Sequence, residues 1–201
     1  MNVGVLASGD GSNLQAILDK LHGRGEVDVV AVGSDKADAR ALRRAAEAGV
    51  PARVFAVEHF DGRRARDAAI AGWLEERGVE LVVLAGYMQL LDPAFLARFP
   101  QRVVNVHPAL LPAFPGIGSV EQAVAYGVKV AGVTVHFVDE GVDTGPIIAQ
   151  RALDVPDGID AAGLRLALRP LEHELLPAVV ELIARGRVAV DPGNPRHVRV
   201  A

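Results

Sequence analysis

Asn105 and His107 are the residues whose types and spacing most directly suggest chemistry in this chain. They follow Val103 and Val104, which predict a β-strand, and Pro108 comes immediately after them. Because side chains alternate between the two faces of a strand, residues 105 and 107 share a face, about 6.5–7 Å apart at the backbone. An amide donor beside an imidazole can stabilise a developing oxyanion and move a proton. A strand that merely ends in two polar residues would explain the same pattern, so the rest of the chain must decide.

Asp143 is a second candidate, in the turn-rich segment 139–146. The Thr-Gly-Pro sequence that follows it predicts a constrained turn, which would fix the direction of the carboxylate. An Asp next to His107 would favour the imidazolium, hold the ring and order a water for proton transfer. Asp139 and Glu140, in the same segment, are expected to be solvated loop residues.

The glycine-rich segment 8–13 lies between a predicted strand and a predicted helix. Gly11 allows a tight turn, and the N–H groups at a helix start attract anions, phosphate above all. Ser12 and Asn13 could cap the helix or bond a phosphate oxygen. The Walker A Lys-Ser/Thr is missing, and Leu14 occupies the place of the third glycine in a dinucleotide fingerprint. The segment therefore predicts a phosphate monoester site, with a purely structural turn as the alternative.

The histidines outside position 107 suggest no metal site. His136 lies among the β-forming residues of 130–138 and is expected to be a half-buried structural residue. His22, His59 and His197 are expected at the surface. Since no pair of His or acidic residues has metal-ligand spacing, we expect no bound metal.

The composition describes a globular chain. Of its 201 residues 50% are hydrophobic, none is Cys, and the net charge is −4. We therefore expect no disulfides, no membrane span and no extended nucleic-acid interface. A chain that opens directly as a strand has no room for a signal peptide, so a cytoplasmic location is expected.

The hydrophobic periodicity predicts alternating strands and helices. Strands are predicted at 3–7, 27–32, 53–57, 80–85, 103–106, 130–138 and 146–153. Helices are predicted at 12–21, 39–48, 63–77, 93–98, 120–126 and 161–184, the last interrupted by Pro170 and Pro177. This order favours a single-domain α/β fold, an open, mostly parallel twisted sheet with helices on both faces. The domain is predicted to span 1–190, with 191–201 as a loosely attached tail. Ligands bind such sheets beyond the carboxyl ends of the strands.

These segments, taken together, resemble the folate-dependent phosphoribosylglycinamide formyltransferase family. The resemblance covers roughly residues 1 to 190. The matching motifs are Ser8-Gly-x-Gly-Ser-Asn-Leu14, Leu84-Ala-Gly-Tyr-Met88, Asn105-Val-His-Pro108, Leu110-Leu-Pro112, Phe114-Pro-Gly116, Thr134-Val-His-Phe-Val138, Asp143-x-Gly-Pro146 and Glu172-His173.

The resemblance implies a Rossmann-like formyltransferase fold and a specific reaction. A formyl group would pass from the co-substrate 10-formyltetrahydrofolate to the amine of glycinamide ribonucleotide, in de novo purine biosynthesis, by direct attack and without a metal. The implied catalytic residues are Asn105, His107 and Asp143. The implied substrate-binding residues are Gly11, Ser12, Asn13 and Glu172. The implied formyl-folate site comprises Arg63, Met88, Gln89, Leu90, Leu91 and Asn105.

Several positions depart from the pattern of this family. Ala109 replaces a common Ser, and Gln89 replaces the usual Arg of the folate loop. Gly118 and Glu121 stand where a His and an Arg are usual, and Ala167 stands where the last helix usually carries an Arg. The catalytic residues are intact, so these departures bear on acceptor and folate specificity.

Other functions fit parts of the sequence. A related folate-dependent formyltransferase or a formyltetrahydrofolate hydrolase would use the same three catalytic residues with a different acceptor. The additional domains expected for the hydrolase and for methionyl-tRNA formyltransferase are missing from this sequence. From a different class, a nucleotide-binding dehydrogenase or regulatory module would use the glycine-rich segment but not the Asn105–His107 pair. The partners expected for the favoured function are small molecules, and a homodimer is left open.

Overall fold

The computed structural model describes residues 1–201, which form two compact units, 1–105 and 106–201. Strands and helices alternate as predicted up to the strand Val103–His107, which contains the boundary between the two units. The elements are β1 (Asn2–Leu6), α1 (Ser12–Lys20), β2 (Asp28–Ser34), α2 (Arg40–Glu47), β3 (Ala52–Val54), α3 (Gly62–Glu75), β4 (Leu81–Leu84), α4 (Pro93–Arg98) and β5 (Val103–His107), with a 3₁₀ turn at Val57–His59.

Parallel pairing aligns the carboxyl ends of the strands in the first unit. Strand β1 pairs with β2 and β4, and β4 pairs with β5, all in parallel. Leu81–Leu84 is buried along its whole length, as expected for a central parallel strand covered on both faces. The loops that follow β1 and β4 meet where the N–H of Ser8 donates to the carbonyl of Gly86 at 3.0 Å. The glycine-rich segment 8–13 and the loop after β4 therefore lie at the same edge of this sheet.

The second unit continues with a strand pair, two helices and a hairpin. Its further elements are α5 (Ser119–Tyr126), β6 (Val130–Phe137), β7 (Ile147–Asp154), α6 (Ala161–Ala184), β8 (Val188–Asp191) and β9 (Asn194–Val200). Strands β6 and β7 are antiparallel. The fully buried Thr134 of β6 donates to the carbonyl of Ala109 at 2.7 Å and accepts the N–H of Leu111 at 3.1 Å. This side chain fixes the proline-rich segment that follows His107.

Helix α6 is continuous through Pro170 and Pro177, so the predicted interruption is wrong. A proline inside a helix costs about 3 kcal/mol relative to alanine. Burial of one large apolar side chain contributes about 1.5–3 kcal/mol, and the helix buries several of them. The buried side chains are Leu164, Leu168, Leu175, Leu176, Val179 and Val180. Their packing outweighs the lost hydrogen bonds.

Seven strands belong to one sheet, in the order β3-β2-β1-β4-β5-β6-β7. This arrangement confirms the predicted open, mostly parallel α/β sheet. Strands β8 and β9 form a separate antiparallel hairpin that the sequence did not predict. The loose attachment of residues 191–201 and the domain boundary at residue 190 remain predictions. None of the helices is long and apolar enough to cross a membrane.

Candidate active site

The strongest candidate for catalysis is the pair formed by His107 and Asp143. Strand β5 ends at His107, whose ring is buried, and Nδ1 lies 3.2 Å from Oδ2 of Asp143. The other ring nitrogen, Nε2, lies 2.8 Å from the carbonyl oxygen of Phe114. Both nitrogens therefore face oxygen acceptors, an arrangement that suits the doubly protonated imidazolium. The predicted contact between residues 107 and 143 is confirmed, while the catalytic role of each residue stays a prediction.

Asp143 is held in place from several directions. Its φ of 53° lies in the left-handed region, which is uncommon for a residue other than glycine. Oδ2 also accepts the N–H of Gly116 at 2.8 Å, and Oδ1 lies 3.4 Å from Nε2 of His136. Burial by itself would raise the pKa of Asp143. The His136 and Gly116 hydrogen bonds and the nearby imidazole charges act in the opposite direction and together lower that pKa to about 2. Asp143 is therefore a carboxylate throughout the physiological range.

His136 is a neighbour of Asp143 that the sequence did not point to. Its side chain is almost fully buried, and Nδ1 lies 2.8 Å from the carbonyl of Phe137. We expected a structural, half-buried residue, but the ring lies beside the Asp143 carboxylate. A usable signal was present, because His136 and Thr134 are polar residues two apart on an otherwise apolar strand. That is the pattern that singled out Asn105 and His107.

The loop between β6 and β7 is built to present Asp143. Oδ1 of Asp139 accepts the N–H of Gly141 at 3.1 Å and the hydroxyl of Thr144 at 2.6 Å. Asp139, expected to be a solvated loop residue, is partly exposed and also closes the turn through these two bonds. A Cβ on Gly145 would lie 1.8 Å from the carbonyl oxygen of Phe137, so glycine is required there. These contacts fix the backbone on both sides of residue 143.

The glycine-rich segment forms the predicted turn into α1. Gly11 precedes α1 with a φ of 73°, and a Cβ there would lie 2.8 Å from Cα and Cβ of Ala41. Ser12 and Asn13 occupy the first turn of the helix. The Asp10 carboxylate is held at 3.2 Å by Arg40 and at 3.1 Å by Arg44. The two guanidinium groups neutralise a charge that would otherwise repel a phosphate at this helix start.

The predicted folate residues lie on α3 and on the loop after β4. Arg63 is about half exposed, with Nε 4.0 Å from a carboxylate oxygen of Asp92. The side chains of Met88 and Leu90 are exposed, whereas Leu91 is buried. The Gln89 side chain forms hydrogen bonds with Arg66 and Asp35.

Glu172 and most of the positions that differ from the family pattern lie in the second unit. Glu172 is half-buried on α6. Glu121, which replaces a usual Arg, pairs with Arg165 of α6, and Ala167 is exposed on that helix. Gly118 precedes α5 with a φ of 75°. No group of three or more His, Asp or Glu side chains is arranged to hold a metal ion.

Known proteins resemble the chain over nearly its whole length. The formyl transferase family matches residues 1–180. A phosphoribosylglycinamide formyltransferase from Mycobacterium tuberculosis is 48% identical over 186 residues, covering 92% of this chain and 86% of the relative. The protein of the same name from Escherichia coli is 39% identical over 193 residues, covering 94% and 89%. The crystal structure of glycinamide ribonucleotide transformylase 1 from Symbiobacterium toebii has a TM-score of 0.95 at 48% identity, covering 100% of this chain and 93% of that one.

Proposed function

The chain belongs to the formyl transferase family, and we propose that it transfers the formyl group of 10-formyltetrahydrofolate to the primary amine of glycinamide ribonucleotide, in de novo purine biosynthesis. The observation that carries this proposal is the 48% identity with a phosphoribosylglycinamide formyltransferase over 92% of the chain. The buried His107–Asp143 contact supplies the chemistry that such a transfer needs.

The transfer proceeds by direct attack. The amine nitrogen of glycinamide ribonucleotide forms a bond to the formyl carbon, whose oxygen becomes an oxyanion. The nitrogen then loses a proton, the bond from the carbon to N10 of the folate breaks, and N10 gains a proton. The products are formylglycinamide ribonucleotide and tetrahydrofolate, and no covalent enzyme intermediate is needed.

Three residues act on this tetrahedral intermediate. The Asn105 amide and the His107 imidazolium stabilise the oxyanion, and preorganised donors of this kind typically contribute about 10²–10³ in rate each. Nε2 of His107 faces the Phe114 carbonyl, so its N–H must exchange that oxygen for the oxyanion. Asp143 places a carboxylate 3.2 Å from the imidazole, orients the ring, and organises the water that relays the proton.

The substrate-binding residues are assigned by the resemblance to the family, and the chemistry of the phosphate and of the folate ring supports part of the assignment. Gly11, Ser12 and Asn13 bind the phosphate, because a helix N-terminus presents N–H groups and a favourable dipole. Glu172 contacts the same substrate near its ribose. Arg63 and the loop Met88–Leu91 bind the formyl-folate, and the exposed Met88 and Leu90 side chains suit a flat heteroaromatic ring.

The proposal also covers extent, location and assembly. Residues 1–190 make up the formyltransferase domain, which is supported by the family match to residues 1–180. The protein works in the cytoplasm on small molecules and not on nucleic acid, in line with its net charge of −4. Sedimentation at several protein concentrations decides between a monomer and the homodimer left open by the sequence.

A formyl-transfer assay with a choice of acceptors tests the function. We expect formylglycinamide ribonucleotide with the proposed acceptor, and little product with other amines. Formate released at the same rate without acceptor would instead identify a hydrolase. Gly11→Ala should weaken binding of glycinamide ribonucleotide and spare a folate analogue, because the new Cβ meets Ala41. Gly9→Ala is the matched comparison and should act less, since a Cβ there has no atom within 4 Å.

A further inference from the structure

A buried polar network lies beneath the loop Met88–Leu91. Arg66 of α3 is 2% exposed and uses its whole guanidinium fork. Nε donates to Asp67 at 2.8 Å, Nη1 to the side-chain oxygen of Gln89 at 2.9 Å, and Nη2 to the carbonyl of Leu90 at 3.2 Å. One helix side chain therefore holds both the backbone and a side chain of the loop.

Further hydrogen bonds tether the same loop at both ends. The Gln89 amide donates to Asp35 at 2.9 Å, so it bridges the Arg66 cation and a second buried carboxylate. The N–H of Met88 donates to the Ser8 hydroxyl at 2.9 Å. At the other end, the N–H of Asp92 donates to Oδ2 of Asp67 at 2.7 Å. The backbone of the loop is thus fixed from below at several points.

The solvent-facing side of the loop Met88–Leu91 is apolar, unlike the anchored side. Met88 and Leu90 are 58% and 56% exposed, so two large apolar side chains of the anchored loop face solvent. A rigid loop that displays apolar side chains is suited to contact a flat apolar ligand, because little conformational entropy is lost on binding.

We propose that Arg66 is a positioning residue, which acts through Gln89 and the Leu90 carbonyl to hold the loop Met88–Leu91 in the shape that binds formyl-folate. This inference rests on the proposed function, in which that loop lines the folate site. It assigns the Gln89 side chain to the anchoring of the loop, beneath the ligand and out of contact with it.

Gln89→Met tests the proposal, because it removes the bridge from Arg66 to Asp35 and keeps the Arg66–Asp67 and Arg66–Leu90 bonds. We expect the KM for 10-formyltetrahydrofolate to rise about tenfold, as for loss of a hydrogen bond to a charged group. The KM for glycinamide ribonucleotide should not change. Amide hydrogen exchange at residues 88–91 should accelerate.

Three further variants make the test selective. Arg66→Gln should act in the same direction, and Arg66→Gln combined with Gln89→Arg, which returns a cation to the pair, should recover part of the folate affinity. Arg98→Gln is the matched control, because Arg98 also contacts α3, through Glu75 and the Ala68 carbonyl, but not the loop. It should leave both KM values unchanged.

Different results would overturn the positioning role of Arg66 and the proposed function. An unchanged folate KM in Gln89→Met, or an equal rise in both KM values, overturns the positioning role. Wild-type protein that transfers no formyl group overturns the proposed function, while faster exchange at residues 88–91 in Gln89→Met would still support the anchoring of the loop.

Discussion

Asp143 is mostly buried and Asp67 is fully buried, and both carboxylates lie beside nitrogen-bearing side chains, yet their pKa values move in opposite directions. Burial is the largest influence on each. For Asp143 two imidazoles and the Gly116 N–H outweigh burial and lower the pKa to about 2. For Asp67 burial outweighs the Asp92 N–H and the Arg66 guanidinium, and the pKa is raised.

The difference shows which carboxylate can take part in chemistry. An imidazole exchanges protons near neutral pH, whereas a guanidinium does not. Asp143 is therefore coupled to groups that can deliver or accept a proton. Asp67 is fully buried and paired with a permanent cation, so its contribution is to structure. Burial beside a positive partner does not by itself identify a catalytic residue.

The largest expected effect comes from Asp143→Asn, which keeps the size but removes the charge. Turnover should fall by about 10²–10⁴-fold, the usual contribution of an acid–base group. Substrate KM values should change little, because the stabilised charge develops mainly in the transition state. Steady-state kinetics give the answer, with Glu140→Gln, which removes an exposed carboxylate from the same loop, as the control. A folded Asp143→Asn enzyme with near-normal turnover would end the assignment.

Asp67→Asn should lower stability more than turnover, in contrast to Asp143→Asn. It leaves the Arg66 cation buried without its carboxylate, but burial already disfavours the Asp67 charge, so the loss should lie below the roughly 3–5 kcal/mol typical of a broken buried pair. Urea denaturation should show this loss in the free energy of unfolding, while kcat at saturating substrate stays close to wild type. A stable Asp67→Asn protein with little turnover would contradict the contrast between the two carboxylates.

The acid stability of the protein should depend on Asp143. Its pKa falls from an ordinary value of 3.8 to about 2 in the folded protein, which corresponds to about 2 kcal/mol of stability. Because the folded pKa is the lower one, this contribution is present above about pH 4 and disappears as the pH falls to about 2. Denaturation of wild type and Asp143→Asn from pH 6 to 2 measures it. Parallel curves for the two proteins below pH 4 would exclude the lowered pKa.

The smallest effect is expected for His136→Phe. The change fills the buried site with an apolar ring and removes one partner of Asp143. Loss of one hydrogen bond to a charged group should lower turnover by about tenfold. The loss of stability on acidification should begin at a higher pH in this variant, because the pKa of Asp143 rises. If turnover falls as far as in Asp143→Asn, His136 acts directly on the reaction and not through the carboxylate.

Much of the fold followed from local pattern. The apolar run Leu81–Leu84 predicted a central strand, and that strand is buried throughout. The uninterrupted helix α6 was not predicted, because the penalty of a proline is local and visible in the sequence, whereas the compensating burial depends on the neighbouring elements. The hairpin β8–β9 was missed in a segment rich in glycine and proline.

The sequence by itself determined which residues share a face and where the chain must turn. Strand alternation put Asn105 and His107 on one side of β5, and glycine was required before α1 because of the positive φ at Gly11. Both results depend on backbone geometry within a few residues, which is encoded locally.

Only the tertiary structure decided which partners these residues meet. It brought His136 to Asp143 and Arg66 to Gln89, contacts between elements that no short-range pattern relates. Strand alternation specifies the direction of a side chain but not the group it will face. The sign of a pKa shift, as for Asp143 and Asp67, depends on that partner and on the depth of burial.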